Sequence, residues 1–423
     1  MIIKIDKDKR HEAGHDKLTG LCNPEHLMQK MKELPDKKKN RLIIYSDIAE
    51  FKLINEILLK QADIIKKHAV DGYLYGRVGE DHFVVIADEA TFNEEHLYEC
   101  RETLQNVLSD SVYNVRVCFG IYRTDNMNES LSFMCDKASF AVASIKDDTH
   151  SFIAYYDDTM LEAAIKYKTI VDEFDDAIKA SEFKMYLQPQ ISAKTRRLTG
   201  AEALVRRIKP DGTIVSPIDF IPVYEKSGLI SRLDRYIWEQ AAAKLGEWKK
   251  VGINMSISVN ISPKDFYYID IFNTFAGLVK KYDIEPSNLK IEITETTIMS
   301  DVPNLMGELE ELRKAGFTIE MDDFGSGYSS LNTLKDINVD VLKVDMGFIK
   351  ETKNVKKSRI ILASVIKMAK ELNLLIITEG VETEEQVDNL TKLGCDVFQG
   401  YYFSKAIDVN EFEKRYLYRK KAG

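Results

Sequence analysis

From about residue 182 onward the chain keeps one beat. Eight strand-like runs, FKMYLQP, LTGAEALVR, MSISVNIS, LKIEITE, FTIEMDD, VDVLKVD, LLIITEG and CDVFQG, fill about 245 residues, and most are followed by a segment of helix length. That count and size predict a (β/α)8 barrel of the TIM type. An open doubly wound sheet is the competing arrangement, but no GxGxxG opens a helix here.

A barrel carries its chemistry at the carboxyl ends of its strands. The residues expected to close the eight runs are Gln188, Glu202, Asn260, Glu292, Asp322 with Asp323, Lys343, Glu379 and Gln399, all polar. Alternation places them inward. Ile257, Val259 and Ile261 share one face of their strand, while Ser256, Ser258 and Asn260 share the other. Leu289, Ile291 and Ile293 oppose Glu292, Ile319 and Met321 oppose Asp322, and Leu342 and Val344 oppose Lys343. A polar strand end emerging into water explains any one of these residues, but not eight together.

Carboxylates converging in a confined mouth stay ionised only if cations neutralise them. Oxygen ligands without Cys or His select hard ions, Mg²⁺ or Mn²⁺ rather than zinc. Two such ions on shared carboxylates suit phosphoester hydrolysis. Asp322-Asp323 is the natural bridging pair. Lys343 can orient water or neutralise phosphoryl oxygens. The Gly-Ser-Gly-Tyr-Ser-Ser stretch at 325–330 is expected to gate the site, with an ordinary βα loop as the plainer reading.

The balance of 59 Lys+Arg against 68 Asp+Glu gives a net charge of -9, which makes a poor bulk magnet for DNA or RNA. No apolar run reaches bilayer length, and the first residues lack the apolar core of a secretory signal. Five scattered Cys show no CxxC, and seven His show no HExxH. A reduced, cytoplasmic protein without a membrane segment is expected.

Before the barrel, strand-like runs at 41–48, 82–87 and 114–122 alternate with helical stretches near 24–33, 53–69, 93–108 and 129–146. This predicts an α+β sandwich with a mostly antiparallel sheet. Between the halves, 156–181 has a helical apolar spacing through Leu161, Ala164, Ile165, Tyr167, Ile170, Val171, Phe174 and Ile178. The expected organisation is 1–155, a linking helix at 156–181, and 182–423.

EALVRR (202–207), SVNIS (258–262), EITET (292–296), DDFGSGYSS (322–330), LKVD (342–345), EGVET (379–383) and QGYYFSK (399–405) resemble the EAL-domain cyclic di-GMP phosphodiesterases over about 175–410. The resemblance implies hydrolysis of cyclic di-GMP to linear pGpG with two Mg²⁺ or Mn²⁺, inhibition by Ca²⁺, a barrel whose first strand runs antiparallel, and a homodimer formed through this domain. It implies that Glu202, Asn260, Glu292 and Asp322 ligate one metal, and that Asp322 and Asp323 serve the second. Lys343, Glu379 and Glu202 carry the catalytic roles, with Lys343 and Glu379 holding or activating the water. Gln188, Arg206, Gln399 and Asp345 fall to the substrate, and Glu295 and Ser326 to the gating loop. Arg207, Ser326 and Ala406 stand where Trp, Thr and Pro are usual. None is a ligand, and Arg207 and Ala406 are expected to bear on substrate fit at the rim.

DKLTGL (16–21) and YSDIAEFKLINE (45–56) resemble a GGDEF (diguanylate cyclase) domain, of nucleotidyl-cyclase-like fold, in decayed form. The resemblance puts Asp47 on a metal position, Asn55 on a guanine contact, and Gly79 and Asp81 in the signature turn, Arg77-Val78-Gly79-Glu80-Asp81-His82-Phe83. Glu80 replaces a Gly that admits phosphate, and adds a negative charge there. His82 replaces an acidic residue. The stretch from Asn55 to Arg77 is about ten residues or more short, and VDGY (70–73) stands where an RxxD inhibitory site would be. Loss of cyclic di-GMP synthesis is expected, with GTP binding left open. The alternatives are a cyclic di-GMP receptor that barely turns its ligand over, or a GTP-sensing scaffold.

Overall fold

Alternating strands with one apolar face bury that face only against another layer, and each half of the chain does so separately. The computed structural model describes residues 14–49, 55–68, 72–79, 81–107, 116–146, 148, 150–299, 304–324, 334, 337–346 and 355–418. Two compact units result, Met1–Lys168 and Thr169–Gly423.

The first unit is a sheet of five strands in the order β2-β3-β1-β4-β5. Its strands are β1 (Arg41–Ala49), β2 (Leu74–Arg77), β3 (Phe83–Asp88), β4 (Arg116–Thr124) and β5 (Ile153–Tyr155). β1 pairs antiparallel with β3 and β4, and β5 runs parallel to β4. Four helices accompany it: α1 (Pro24–Glu33), α2 (Asn55–His68), α3 (Glu95–Val107) and α4 (Leu131–Ile145). α1 starts by rule, with Asn23 accepting from the His26 N–H and Pro24 in the first turn. α4 lies close on β4, since a Cβ at Gly120 would sit 1.9 Å from the Ala138 carbonyl oxygen. The α+β expectation and its three strands hold. β2 and β5 were not anticipated, because three or four residues are too short to show a period.

The linking stretch folds as two helices, α5 (Asp158–Asp172) and α6 (Phe174–Lys179), broken at Glu173. Only Ile170, Phe174 and Ala177 of this stretch are buried, and Ile165 is exposed rather than part of an apolar stripe.

In the second unit β6 (Phe183–Ser192), β7 (Leu198–Ile208), β9 (Ile257–Asn260), β10 (Leu289–Thr294), β11 (Ile319–Asp322), β12 (Val341–Asp345), β13 (Leu375–Glu379) and β14 (Val397–Phe398) close into a ring, because β6 pairs with both β14 and β7. β6 is antiparallel to both neighbours, and the remaining neighbours are parallel. A short β8 (Ile214–Val215) extends β7, and β15 (Ile407–Asp408) extends β6. Helices α7 (Pro217–Ser227), α8 (Ile230–Lys250), α9 (Asp265–Tyr268), α10 (Ile271–Tyr282), α11 (Glu295–Met299), α12 (Leu305–Lys314), α13 (Val355–Glu371), α14 (Glu384–Leu393) and α15 (Val409–Phe412) accompany the strands. The outward residues Ile257, Val259, Leu289, Ile291, Ile319, Met321 and Leu342 share one core with Trp238, Phe275 and Leu309 of the helices. Inside the ring, Val341, Ile377 and Val397 make a separate small plug. Each lies two residues before a site residue, Lys343, Glu379 and Gln399, so period 2 stacks that side of the polar mouth on an apolar floor.

Candidate active site

Lys343 is the centre of the barrel mouth. Its side chain is 0% exposed, and its Nζ lies 2.6 Å from Glu379 Oε1, 3.2 Å from Glu292 Oε1, 3.3 Å from Asp322 Oδ2 and 3.5 Å from Glu202 Oε2. Five strands supply these five groups. Glu202 Oε2 also accepts from Gln399 Nε2, and Asn260 Nδ2 donates to Glu202 Oε1 at 3.4 Å. Gln399 is held by Gln190, whose Nε2 donates to its Oε1 at 3.2 Å, and donates to Gln188 Oε1 at 3.3 Å. Trp238 Nε1 donates to the Asn260 carbonyl at 2.9 Å, which fixes the end of β9. Asp323 follows in the left-handed region at φ 56°, so its side chain departs in a different direction from that of Asp322.

Four carboxylates around one ammonium leave net negative charge in a buried space. Burial, then Glu202, with Glu320 and Asp322, pushes the Glu292 carboxyl well above the usual carboxylate range, and Lys343 offsets only part of this. Glu379 is pushed up to about 8 by burial, against the pull of Lys343. Burial and the neighbouring Asp322 raise Asp323. Burial works against the charge of Lys343, but the four carboxylates outweigh it and hold the ammonium protonated. Oε1 of Glu292 and Oε1 of Glu379 are buried and face Lys343 Nζ. Buried carboxylates that outnumber their one ammonium four to one fit hard divalent cations, which bind through oxygen.

The strand ends differ from the expectation in detail. Glu202 lies in mid-strand because the β6–β7 hairpin ladder runs on to Arg207, and Lys343 is followed by two further strand residues. Gln188 is half-buried and donates to the Ser404 carbonyl at 3.3 Å. Arg206 stacks 5.9 Å from the Tyr186 ring, and Asp345 is exposed at the end of β12. Glu295 is fully buried as the first residue of α11. Ser326, with the rest of the 325–330 loop, and Glu80 lie outside the described residues. Arg207 is not at the substrate rim. It is 4% exposed and points away from the mouth, ion-paired to Glu173 at 2.7 Å and Glu182 at 2.9 Å, because its strand parity is opposite to that of Glu202 and Arg206.

Of a second polar layer, the sequence reading placed only Ser258 on the inward face and missed Glu320 and Lys290. Glu320, 0% exposed, accepts from Ser258 Oγ and from Lys290 Nζ, each at 2.9 Å. These residues precede Asp322, Asn260 and Glu292 by two, and that spacing was the signal available in the sequence.

In the first unit, Asp47, Asp81 and His82 bring donor atoms within 4.8 Å of one another. Lys146 Nζ already pairs with Asp47 Oδ2 at 2.9 Å, and His82 Nε2 lies 3.3 Å from Asp81 Oδ1. Gly79 and Asn55 are exposed. One imidazole and an ammonium-paired carboxylate do not match the hard dication that the cyclase resemblance implies. The DKLTGL opening holds the local fold together. Asp16 Oδ1 accepts from the Thr19 N–H at 2.8 Å and from Thr19 Oγ1 at 2.7 Å, and Arg77 pairs with it at 3.2 Å.

A cyclase-like unit followed in the chain by an eight-stranded barrel with a carboxylate-ringed lysine at its mouth defines a GGDEF–EAL tandem. The model of the EAL domain matches residues 171–406, and that of the diguanylate cyclase GGDEF domain matches 13–151. The chain belongs to the EAL-domain family and carries a GGDEF domain ahead of it. It is 30% identical to the signaling protein YkoW of Bacillus subtilis over 97% of this chain and 54% of that protein. It is 27% identical to the bifunctional diguanylate cyclase/cyclic di-GMP phosphodiesterase MucR of Pseudomonas aeruginosa over 97% of this chain and 62% of that protein. The chain therefore spans just over half the length of these relatives. Among solved structures, the MucR phosphodiesterase in complex with cyclic di-GMP is 32% identical, with a TM-score of 0.54, over 58% of this chain and 99% of that one.

Proposed function

We propose that the barrel hydrolyses cyclic di-GMP to linear pGpG. The observation that carries this is the cluster of Glu202, Asn260, Glu292, Asp322, Asp323, Lys343, Glu379 and Gln399, in which four carboxylates share one ammonium. Glu202, Asn260, Glu292 and Asp322 would hold one Mg²⁺ or Mn²⁺, and Asp322 with Asp323 a second. Such ions supply Lewis-acid activation of the phosphodiester and of water at neutral pH. Lys343 keeps its proton and places positive charge where phosphoryl oxygens gain negative charge. Glu379, ionised once the cations are bound, would take a proton from the attacking water, and its contact with Lys343 Nζ at 2.6 Å supports that role. Gln188, Arg206, Gln399 and Asp345 hold the substrate, and Glu295 supports the gate that includes Ser326.

The first unit regulates or scaffolds rather than synthesises. What supports this reading is His82 beside Asp81 and the Lys146 ammonium on Asp47. GTP is its candidate ligand. The working form is read as a cytoplasmic homodimer assembled through the barrel domain, with no part in DNA or RNA binding. Among the described residues no helix is long and apolar enough to cross a membrane.

Incubating the chain with cyclic di-GMP and Mg²⁺ and following pGpG tests the reading. Tight binding without product would instead make it a receptor.

A further inference from the structure

Where the ring closes, Gln188, Gln190 and Gln399 form a chain of amides. Gln188 and Gln190 lie two apart on β6, hence on one face, and Gln399 follows the last residue of β14, with which β6 pairs. Gln190 is 1% exposed and Gln399 3%. Gln399 Nε2 contacts Glu202 Oε2 and lies 3.3 Å from Gln188 Oε1. Its Oε1 lies 3.2 Å from Gln190 Nε2, and Gln188 Nε2 lies 3.3 Å from the Ser404 carbonyl. Asn260 Nδ2 donates to the other Glu202 oxygen at 3.4 Å, so the carboxylate is gripped on both sides.

The ends of the chain fix its direction. An ionised carboxylate and a backbone carbonyl only accept. Glu202 therefore takes an N–H from Gln399, and the Ser404 carbonyl takes one from Gln188. Turning the Gln399 amide over would set its oxygen against oxygens of Glu202 and Gln188, and its NH₂ against that of Gln190. The Gln399 oxygen thus faces residue 190, and only a donor there satisfies it. Gly200, the partner of Gln190 on β7, leaves that amide its room, since a Cβ at Gly200 would lie 2.9 Å from Gln190 Oε1.

We propose that Gln190 is a positioning residue of the barrel mouth: by donating to Gln399 it locks that amide with its NH₂ on Glu202, and so holds Glu202 ready to ligate a divalent cation. The role rests on the reading of Glu202 as a metal ligand, and its route to the metal passes through Gln399. Without a donor at 190 the Gln399 oxygen is left buried and unpaired, and the amide relieves itself by leaving Glu202. Glu202 then loses the partner that orients it before the cation arrives.

The test is calorimetry of Mn²⁺ binding to the metal-free full chain, wild type against Gln190→Met, Gln399→Met and the double variant. Met keeps the length of Gln190 and removes its donor. Gln190→Met should weaken Mn²⁺ binding by about tenfold, the low end for a lost outer partner of a metal ligand, and leave a turnover deficit at limiting Mn²⁺ that saturating Mn²⁺ largely removes. In the Gln399→Met background the same change should cost nothing further, because the route to Glu202 is already gone. Gly200→Ala, which crowds the Gln190 amide and leaves residue 190 itself unaltered, should weaken Mn²⁺ binding in the same direction. Wild-type Mn²⁺ affinity in Gln190→Met would overturn the proposal, and so would a loss of equal size in both backgrounds, which makes Gln190 a packing residue. A wild type that binds no Mn²⁺ would overturn the metal reading and the proposal with it. If the affinity pattern holds and no pGpG forms, the phosphodiesterase reading fails and the positioning role stands.

Discussion

Replacing Lys343 with Met removes the ammonium at the centre of the carboxylate cluster while keeping most of its volume. Four carboxylate oxygens lie 2.6–3.5 Å from its Nζ. At about 3 Å and an effective dielectric of about 20, one such contact is worth about 5 kcal/mol. Desolvation of the ammonium and repulsion among the acids cancel most of the total, and removing one partner of a buried pair costs about 3–5 kcal/mol. For the barrel unit that corresponds to a drop in Tm of about 6–20 °C without metal. Mg²⁺ should restore more stability to Lys343→Met than to wild type, because it then supplies the missing charge. In turnover, losing a donor aimed at developing charge costs about 10²–10³ in kcat. Binding of cyclic di-GMP, measured by calorimetry, should change little. Two results would refute the reasoning: a metal-free Tm within about 2 °C of wild type, or a collapse of binding with a normal rate per bound substrate.

Glu202→Ala should abolish hydrolysis with circular dichroism unchanged, and Ca²⁺ should inhibit wild type, because it prefers a larger, looser oxygen shell than Mg²⁺. Glu379 carries a folded-state pKa of about 8. Its burial is therefore tolerated fully below its unfolded value of about 4.3 and increasingly resisted as pH rises through about 8. Metal-free protein should lose stability across that window, Glu379→Gln should flatten the loss, and Mg²⁺ binding at pH 7 should release protons, read by calorimetry in buffers of different ionisation enthalpy. Gly400→Ala should lower activity strongly, since its Cβ would fall 2.2 Å from the Val381 carbonyl oxygen and displace Gln399; wild-type kinetics would show that the backbone yields there. GTP alone should give no cyclic di-GMP. Detectable synthesis would overturn the reading of His82 and Lys146, and a flat hydrolysis rate up to millimolar GTP would leave the first unit a scaffold.

The barrel and its polar mouth were legible in the chain because both follow from local rules. Strand period is short-range, so Ile257, Val259 and Ile261 against Asn260 declare inside and outside without any knowledge of neighbours. Closure of the strands by polar residues pointed to the mouth for the same reason. Glu320 and Lys290 were equally legible by their spacing of two, yet a charge read as solvated in isolation becomes a buried pair only once the ring closes around it. Arg207 shows the converse. Its place in the EALVRR motif suggested the substrate rim, but strand parity turns it toward Glu173 and Glu182. Sequence adjacency does not carry direction beyond one strand face. Lys343 within reach of four acids and Lys146 on Asp47 across 99 residues of chain were decided by tertiary structure alone. Each depends on two or more elements meeting, and the charge state of a buried group is set by what the fold brings to it, not by its neighbours in the chain.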